Sequence, residues 1–395
     1  MAKKCVLGVD VGTSSVKVLA GVIEADGTVR IQGAGTAPTE GFSKGTITDA
    51  EALASSVKGA IDCTVMAAAV APDAIYLGLG GMDIVSVNSI GSMAPASADG
   101  ISGEDIERAC RAATIVAVPD DHRVLHVVPT GYWVDGQKTA AIPLGKRGNR
   151  LETEAHIISL PREPLEGLLG GLSASGIRVA GTLANCMVAA EAVRPDEDGA
   201  CLVLDMGAGL TDLALYSDGI PRMTASLPLG GDYITGDIMQ GLDVTRPHAE
   251  AVKRYYARLD RSLKGRNITL DCAEPGSAGQ PIAYDFLFNI VESRVEELVA
   301  ILHGYLEPVL SGYNVRTLIL AGGCASLPSV GEAAAKIFGL PAQLARLENE
   351  VPLEYACPSN TACFGLIKYA AGLKSPEPVT RSSWRSLLNK FREYI

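Results

Sequence analysis

The residues best suited to chemistry fall in two short segments that share one design. The first is Val6-Leu-Gly-Val-Asp10-Val-Gly12-Thr13-Ser14-Ser15-Val-Lys17-Val-Leu, and the second is Leu202-Val-Leu-Asp205-Met-Gly207-Ala-Gly209-Leu-Thr211-Asp212-Leu-Ala-Leu. Each reads as an apolar strand, an Asp at its end, a small Gly/Ser/Thr turn and a second apolar strand. A hairpin of this kind has a tip of bare backbone N–H and hydroxyl groups, which suits phosphate oxygens. The Asp at each strand end can hold a water of a hydrated Mg²⁺, because that ion keeps its waters and takes few carboxylates. Two such hairpins facing each other would clamp one nucleotide from both sides. Either hairpin alone is equally an ordinary tight turn; their duplication, with matching Asp and Gly positions, favours the clamp.

These segments need a scaffold, and the bulk composition bounds it. A chain of 395 residues is long enough for about two to three domains of roughly 150 residues. It can bury on the order of three quarters of its unfolded surface. A net charge of −11 argues against nucleic acid as a partner, which calls for a basic stripe. The nine cysteines are scattered, with no C-x-x-C and an odd count. That pattern implies reduced thiols and a cytosolic setting. No apolar run approaches the ~18 residues of a membrane span; Val65 to Gly81 comes nearest and is broken by Pro72 and Asp73.

Strand and helix signals alternate through the first 80 residues, with a helix expected from about Asp49 to Val70 and a strand at Ile75–Leu79. Together with a strand at Thr317–Ala321, this predicts α/β layering. From Asp83 to Pro161 the rhythm changes and reads as an inserted domain. Ser102-Gly-Glu-Asp105 opens a helix there in capping-box style, with Ile106, Cys110 and Ala113 on one face. Strands follow at Arg123 and Ala155, with Asp135-Gly136 as a turn between them. His122 and His126 lie four apart, but no third ligand is near, so structural strand histidines are the expectation. Gly230-Gly231 opens a helix to Gln240, and another runs from Pro247 to Arg258. The stretch Asp271 to Pro281 reads as a loop. A long helix covers Phe286 to Leu306, with Ile290, Val291, Val295, Leu298 and Leu302 on its apolar face.

These residues resemble the actin/Hsp70/sugar-kinase superfamily and, within it, the FtsA family of bacterial cell-division proteins. The most specific part is His122-Arg-Val-Leu-His-Val-Val-Pro129-Thr-Gly-Tyr132-Trp-Val-Asp135-Gly-Gln137, followed by Arg150-Leu-Glu and His156-Ile-Ile. The resemblance implies a two-lobed, actin-like ATP-binding α/β fold with an inserted subdomain, called 1C, that contacts the next subunit of a polymer. It implies subdomain 1A at 1–82 and 163–195, 1C at 83–162, 2A beginning at 196–232, 2B at 233–310, and a return through 2A and 1A at 311–372. ATP and Mg²⁺ are the implied cofactors. Asp10, Gly12, Thr13, Ser14 and Lys17 match the first phosphate loop, and Asp205, Gly207, Gly209 and Thr211 the second, with Asp10 and Asp205 on the metal through water. Gly230 and Gly231 follow the second loop. Glu250 and Lys253 fall where an Ala-Glu-x-x-Lys helix brackets the adenosine, and Gly322 and Gly323 match the glycine pair against base and ribose.

The implied function is that of a polymerising adaptor, at most a slow ATPase. It would tie the tubulin-like FtsZ to the cytoplasmic face of the inner membrane at the division site and help recruit later division proteins. The implied partners are the FtsZ C-terminal tail, further copies of the chain, anionic lipid and other division proteins. Arg294, in Val291-Glu-Ser-Arg294-Val-Glu-Glu, is the candidate contact for the tail, since forked donors suit a carboxylate-bearing peptide. The alternative is an arginine pairing with Glu297 or Glu292. Two departures stand out. Leu210 occupies the Thr position of D-x-G-x-G-T-x-D, with Thr211 one later, and Gly145-Lys-Arg-Gly148 replaces Gly-x-Ser-Gly at the subunit contact. A pilus-assembly actin-like protein is a competing reading. A sugar-kinase-type phosphotransferase is another, but Asn185 and Glu191, the nearest polar residues upstream of the second loop, read as structural. An Hsp70-type chaperone needs a further peptide-binding domain.

The last residues can be read without any family. On a helical wheel Trp384, Leu387, Leu388, Phe391, Tyr394 and Ile395 share one arc, while Arg385, Ser386, Asn389, Lys390, Arg392 and Glu393 share the other. From Arg381 onward the charge is +3, against −14 for the rest of the chain. A linker at 373–382 with Pro376 and Pro378 precedes this 383–395 tip. A basic amphipathic helix of this kind suits binding at an anionic lipid surface; the alternative is a terminal helix docked on the protein's own core. Each basic side chain adds about 1 kcal/mol near such a surface. One copy should bind reversibly and many copies on a polymer tightly, through effective concentration. Trp384→Glu with Phe391→Glu should abolish co-sedimentation with anionic vesicles while leaving the body folded, because two charges would enter the headgroup–acyl boundary. Aggregation and a much lower melting temperature of the double variant would instead place the helix in the core.

Overall fold

The computed structural model describes residues 3–193, 199–256, 262, 264–265, 269–270, 282–347 and 351–372. The expected loop at 271–281, the linker and the amphipathic tip lie outside the described residues. Within the first lobe, strands β1 (Lys4–Val11), β2 (Ser15–Ile23) and β3 (Val29–Pro38) form a meander. The two-residue strands β4 (Phe42–Ser43) and β5 (Thr46–Ile47) lead to helix α1 (Ala50–Ala68) and strand β6 (Ala74–Leu79). Asp49 starts α1 because its carboxylate accepts from the Glu51 and Ala52 N–H groups, two donors that the first turn leaves unpaired.

The insert follows as β7 (Val85–Met93), α2 (Gly103–Ala117), β8 (His122–Val134), β9 (Gln137–Lys138) and β10 (Leu151–Pro161). It is an antiparallel sheet of order β7-β10-β8-β9. The Ser102/Asp105 capping box forms as the sequence pattern implies. Ile106, Ala109, Cys110 and Ala113 on α2 close a separate core with Val127, Val134, Leu151, Ala155 and Ile157. Four other apolar residues of the insert, Leu125, Val128, Ile158 and Leu160, join the first-lobe core instead. His122 Nδ1 lies 3.1 Å from Ser159 Oγ, and His126 Nε2 accepts from the Ala184 N–H at 3.0 Å. Both are engaged in hydrogen bonds that tie the strand to its neighbours.

The chain returns to the first lobe through α3 (Arg162–Ala174), β11 (Val179–Ala184) and α4 (Asn185–Val193). The first-lobe sheet has the order β11-β6-β1-β2-β3. Alternation decides its faces: Leu7, Val9 and Val11 of β1 pack with α1 and α3, while Val6 packs with the last helix.

The second lobe contains β12 (Ala200–Met206), β13 (Thr211–Ser217), β14 (Ile220–Leu227), α5 (Gly231–Leu242), α6 (Arg246–Tyr256), β15 (Thr269–Leu270), β16 (Ile282–Ala283), α7 (Tyr284–Leu310), β17 (Val315–Ala321), α8 (Pro328–Phe338) and β18 (Ala342–Leu344). Its sheet runs β14-β13-β12-β17-β18. This repeats the first sheet position for position: an antiparallel meander, then two parallel additions beside its first strand. The apolar face of α7 is covered by the second-lobe core, with Leu287, Val291, Val295, Leu298 and Leu302 all buried.

Helix α9 (Thr361–Gly372) lies under the first sheet and crosses α4, which lies under the second. The crossing is close enough that a Cβ on Gly365 would stand 1.8 Å from the Val188 carbonyl oxygen. Only glycine fits there. Among the described residues, no helix is long and apolar enough to cross a membrane.

Candidate functional site

The two hairpins occupy equivalent places in their sheets. In the first, Asp10 pairs in register with Lys17 and Val11 with Val16; in the second, Asp205 pairs with Asp212 and Met206 with Thr211. Their tips meet face to face, and a Cβ on Gly209 would stand 2.8 Å from the Thr13 side chain. Between and beside the tips lies a cleft of about 670 Å³. Asp10, Gly12, Thr13, Ser14 and Lys17 line it from the first lobe, and Asp205, Gly207, Gly231, Glu250, Lys253, Gly322 and Gly323 from the second.

Four charged side chains set the field inside. Lys17 Nζ stands 3.6 Å from Asp10 Oδ2. Burial pulls the Lys17 ammonium down, but Asp10, Cys363 and Asp205 outweigh it and hold its pKa above the usual lysine value. Across the cleft, burial pushes Asp205 up to about 8, with Asp10 and Asp212 adding repulsion and Lys17 opposing. Asp212 is pushed up to about 7 by burial, against a hydrogen bond from Ser226. Three carboxyl groups therefore share one ammonium, and Asp205 and Asp212 keep their protons to higher pH than free carboxyls; a divalent cation beside them would favour the charged forms.

Unpaired polar atoms point the same way. Asn185 donates through Nδ2 to Asp10 Oδ1 at 2.9 Å, but its own Oδ1 is buried without a partner, as is Thr13 Oγ1. Both residues face the cleft or its tip contact, and buried polar atoms ordinarily find partners. Among the described residues, no three His, Cys, Asp or Glu side chains converge closely enough to coordinate a metal directly. The carboxylates, the hairpin N–H groups and the orphan oxygens suit a cation that keeps its own waters beside phosphate groups.

The other end of the cleft is built by α5 and α6. Lys253 Nζ lies 2.7 Å from Glu250 Oε2 and donates to Thr235 Oγ1 at 2.8 Å and to the Gly231 carbonyl at 3.2 Å. Burial acts to raise Glu250, but Lys253 and the Thr235 hydroxyl more than offset it and leave its pKa below the usual value. This fixes a carboxylate and an ammonium at the cleft wall. Gly322 has φ +85, and a Cβ there would lie 2.4 Å from Asp205 Oδ1. A side chain would strain the backbone and fill the space beside the carboxylate.

Three of the sequence-predicted residues lie outside the cleft lining. Thr211 turns away: its hydroxyl donates to the Leu229 carbonyl at 2.7 Å, while Leu210 takes the lining position. Gly209 is closed off by Thr13. Gly230 packs beneath the second tip, where a Cβ would stand 2.4 Å from the Ala208 carbonyl oxygen. Asn185, which the sequence suggests is structural, lines the cleft and holds Asp10. Asp212 also belongs to the site. Its signal was present in the duplication, because it stands seven residues after Asp205 as Lys17 does after Asp10. Arg294 is remote from the cleft. It makes a two-pronged pair with Asp237 at 2.6 and 2.9 Å and a further bond of 2.6 Å to Glu297.

Comparison with known proteins fits this architecture. Residues 81–159 match the SHS2 domain inserted in FtsA, and residues 202–365 match the family described as cell division protein FtsA. FtsA of Pseudomonas aeruginosa is 32% identical over 348 residues, which cover 86% of this chain and 82% of that protein. Among solved structures, a chain of the PilM–PilN type IV pilus biogenesis complex superposes with a TM-score of 0.69 at 17% identity, covering 94% of this chain and 99% of that one. MreB5 of Spiroplasma citri bound to ADP superposes with a TM-score of 0.52 at 15% identity, covering 92% and 94%. The fold is actin-like.

The charge excess should be visible in stability. A carboxyl whose folded pKa is raised contributes stability that is present below its unfolded pKa and lost as pH rises through the folded one. The cation-free protein should therefore melt at progressively lower temperature as pH rises from about 5 to about 8. Asp212→Asn should flatten that slope, as measured by thermal denaturation across the range. An unchanged slope would place the charge excess elsewhere.

Proposed function

Because the chain belongs to the FtsA family of cell-division proteins, we propose that it is an ATP-binding, polymerising adaptor. It ties FtsZ to the cytoplasmic face of the inner membrane at the division site and helps recruit later division proteins. One observation carries the nucleotide part of this reading: two equivalent hairpins present phosphate-sized tips and an excess of carboxylates to a single cleft. Mg²⁺, when bound, supplies positive charge between these carboxylates and the phosphates. Asp10, Asp205 and Asp212 would accept hydrogen bonds from its waters, the hairpin N–H groups and Thr13 would hold phosphate oxygens, and Lys17 would balance them. Glu250, Lys253, Gly322 and Gly323 would receive the adenosine. Asp10→Ala and Asp205→Ala should each weaken ATP·Mg²⁺ binding on the order of tenfold or more, the ordinary effect of removing an outer partner of a metal. Wild-type affinity of both variants in equilibrium dialysis would remove the clamp.

The inserted sheet at 83–162 is proposed as the 1C subdomain that meets the next subunit, and 233–310 as 2B. Lys146 and Arg147 are exposed on the insert, where they would add positive charge to such a contact. The PilM likeness supports pilus assembly as a second reading, but at 17% identity it speaks for the fold alone. Sequence similarity runs to the division family.

The FtsZ tail is proposed to dock on the 2B face at Arg294. Its guanidinium is held by Asp237 and Glu297 and lies 5.9 Å from the Tyr233 ring. A tail carboxylate would exchange with these partners, keeping the charge-assisted geometry. Arg294→Glu should reduce affinity for a labelled FtsZ-tail peptide on the order of tenfold or more, since it replaces attraction by repulsion. Unchanged affinity would move the docking site.

A further inference from the structure

The insert is joined to the two lobes in different ways. Toward the first lobe it contributes Leu125, Val128, Ile158 and Leu160 to a shared apolar core. Toward the second lobe its described links are hydrogen bonds, and they land on one strand, β14. Ser86 Oγ lies 2.7 Å from Thr224 Oγ1, and His156 Nε2 lies 2.8 Å from the same hydroxyl. Asn88 Nδ2 donates to the Arg222 carbonyl at 3.2 Å, and Arg222 Nη1 donates to the Thr130 carbonyl at 3.2 Å. Alternation explains this: Met223, Ala225 and Leu227 pack against the second-lobe core, so Arg222, Thr224 and Ser226 face the other way.

Ser226 stands at the cleft end of that row, in register with Asp212. Its hydroxyl donates to Asp212 Oδ1 and accepts from the Gly81 N–H at 3.0 Å. Gly81 is in the segment through which the chain enters the insert, just before β7. A Cβ on Gly80 would stand 2.4 Å from Asp212 Oδ2, so the carboxylate rests directly on this segment. A Cβ on Gly45 would stand 2.2 Å from the Gly81 Cα, so the same segment also packs closely against Gly45.

We propose that Ser226 is a positioning residue that ties Asp212 to the root of the insert, so that loading of the cleft with ATP·Mg²⁺ shifts the insert along its polar seam with the second lobe. The proposal rests on the nucleotide reading above. An Asp212 carboxylate turned further into the cleft would carry the Ser226 hydroxyl with it, because the two are hydrogen-bonded. The Gly81 N–H, which needs an acceptor, must follow or find another. The displacement passes into β7, whose Ser86 and Asn88 hold β14. Hydrogen bonds across that seam can be broken and remade, whereas the apolar contact with the first lobe cannot slip without exposing surface. Arg222 Nε is buried without a partner in the present arrangement, leaving a donor free for a second one.

Hydrogen–deuterium exchange of the full chain, with and without saturating ATP·Mg²⁺, tests this. In the wild type, nucleotide should slow exchange at residues 10–17 and change it at residues 81–93 by about fivefold or more, the lower end of ordinary coupling between sites. Ser226→Ala should lose the change at 81–93 while keeping that at 10–17, and Ser226→Thr should restore it. Thr224→Val, outside the cleft, should keep ATP·Mg²⁺ affinity in equilibrium dialysis yet lose the change at 85–93. A full wild-type response at 81–93 in both Ser226→Ala and Thr224→Val would overturn the coupling. Protection at 10–17 with no response at 81–93 in the wild type would overturn it alone. No binding and no protection at 10–17 would remove the nucleotide reading and the coupling with it.

Discussion

Everything around the cleft is arranged to hold three carboxylates and one ammonium in a space largely withdrawn from water. Burial disfavours their charged forms and neighbouring carboxylates add repulsion, which is why Asp205 and Asp212 sit far above the usual carboxylate range. Such an arrangement persists only where the surrounding scaffold is stiff enough to impose it. Here the stiffness comes from strands whose apolar faces are covered by helices, with Asp10 and Asp205 carried at the very ends of those strands. The site is thus a strained electrostatic arrangement held by ordinary hydrophobic packing, and its relief is opposite charge.

Duplication supplies the geometry, and one substitution within it supplies the polarity. Both sheets have the same strand order and both hairpins the same register. The residue opposite the hairpin Asp is Lys17 in one lobe and Asp212 in the other. The first hairpin is therefore nearly self-neutralised, while the second has two facing carboxylates and no cation of its own. Positive charge would be favoured most beside the second hairpin, and negative charge beside Lys17. An approximate twofold in the backbone becomes a directional site through one pair of side chains.

Much of this was legible in the sequence because it is local. The hairpins, the helix beginning near Asp49, the Ser102/Asp105 capping box and the apolar stripe of α7 are each specified by residues within a turn or two of one another. What depended on distant partners was not legible. Asn185 becomes a cleft residue only because β11 delivers the start of α4 beneath Asp10, 175 positions away. Thr211 suits a phosphate contact by type and place, yet its hydroxyl donates to the carbonyl of Leu229, two residues beyond the end of β14. At Gly209 and Gly230 the need for a small residue comes from Thr13 and from the second hairpin's own backbone, contacts that no local pattern shows. The Arg294–Asp237 pair spans two helices that share no pattern in sequence.

Helices usually interlock by setting the ridges of one into the grooves of the other, and such teeth fix a crossing angle. Where Gly365 meets Val188, backbone lies on backbone, and Val188 and Ala192 of α4 pack around that point with Phe364, Leu366 and Ile367 of α9. Ala189 and Ala190 of α4 belong to the second-lobe side, while Phe364, Leu366 and Ile367 of α9 belong to the first. The two lobes are consequently joined at a contact whose closeness is set by backbone, so a side chain of any size at position 365 would have to push one lobe's helix away from the other's.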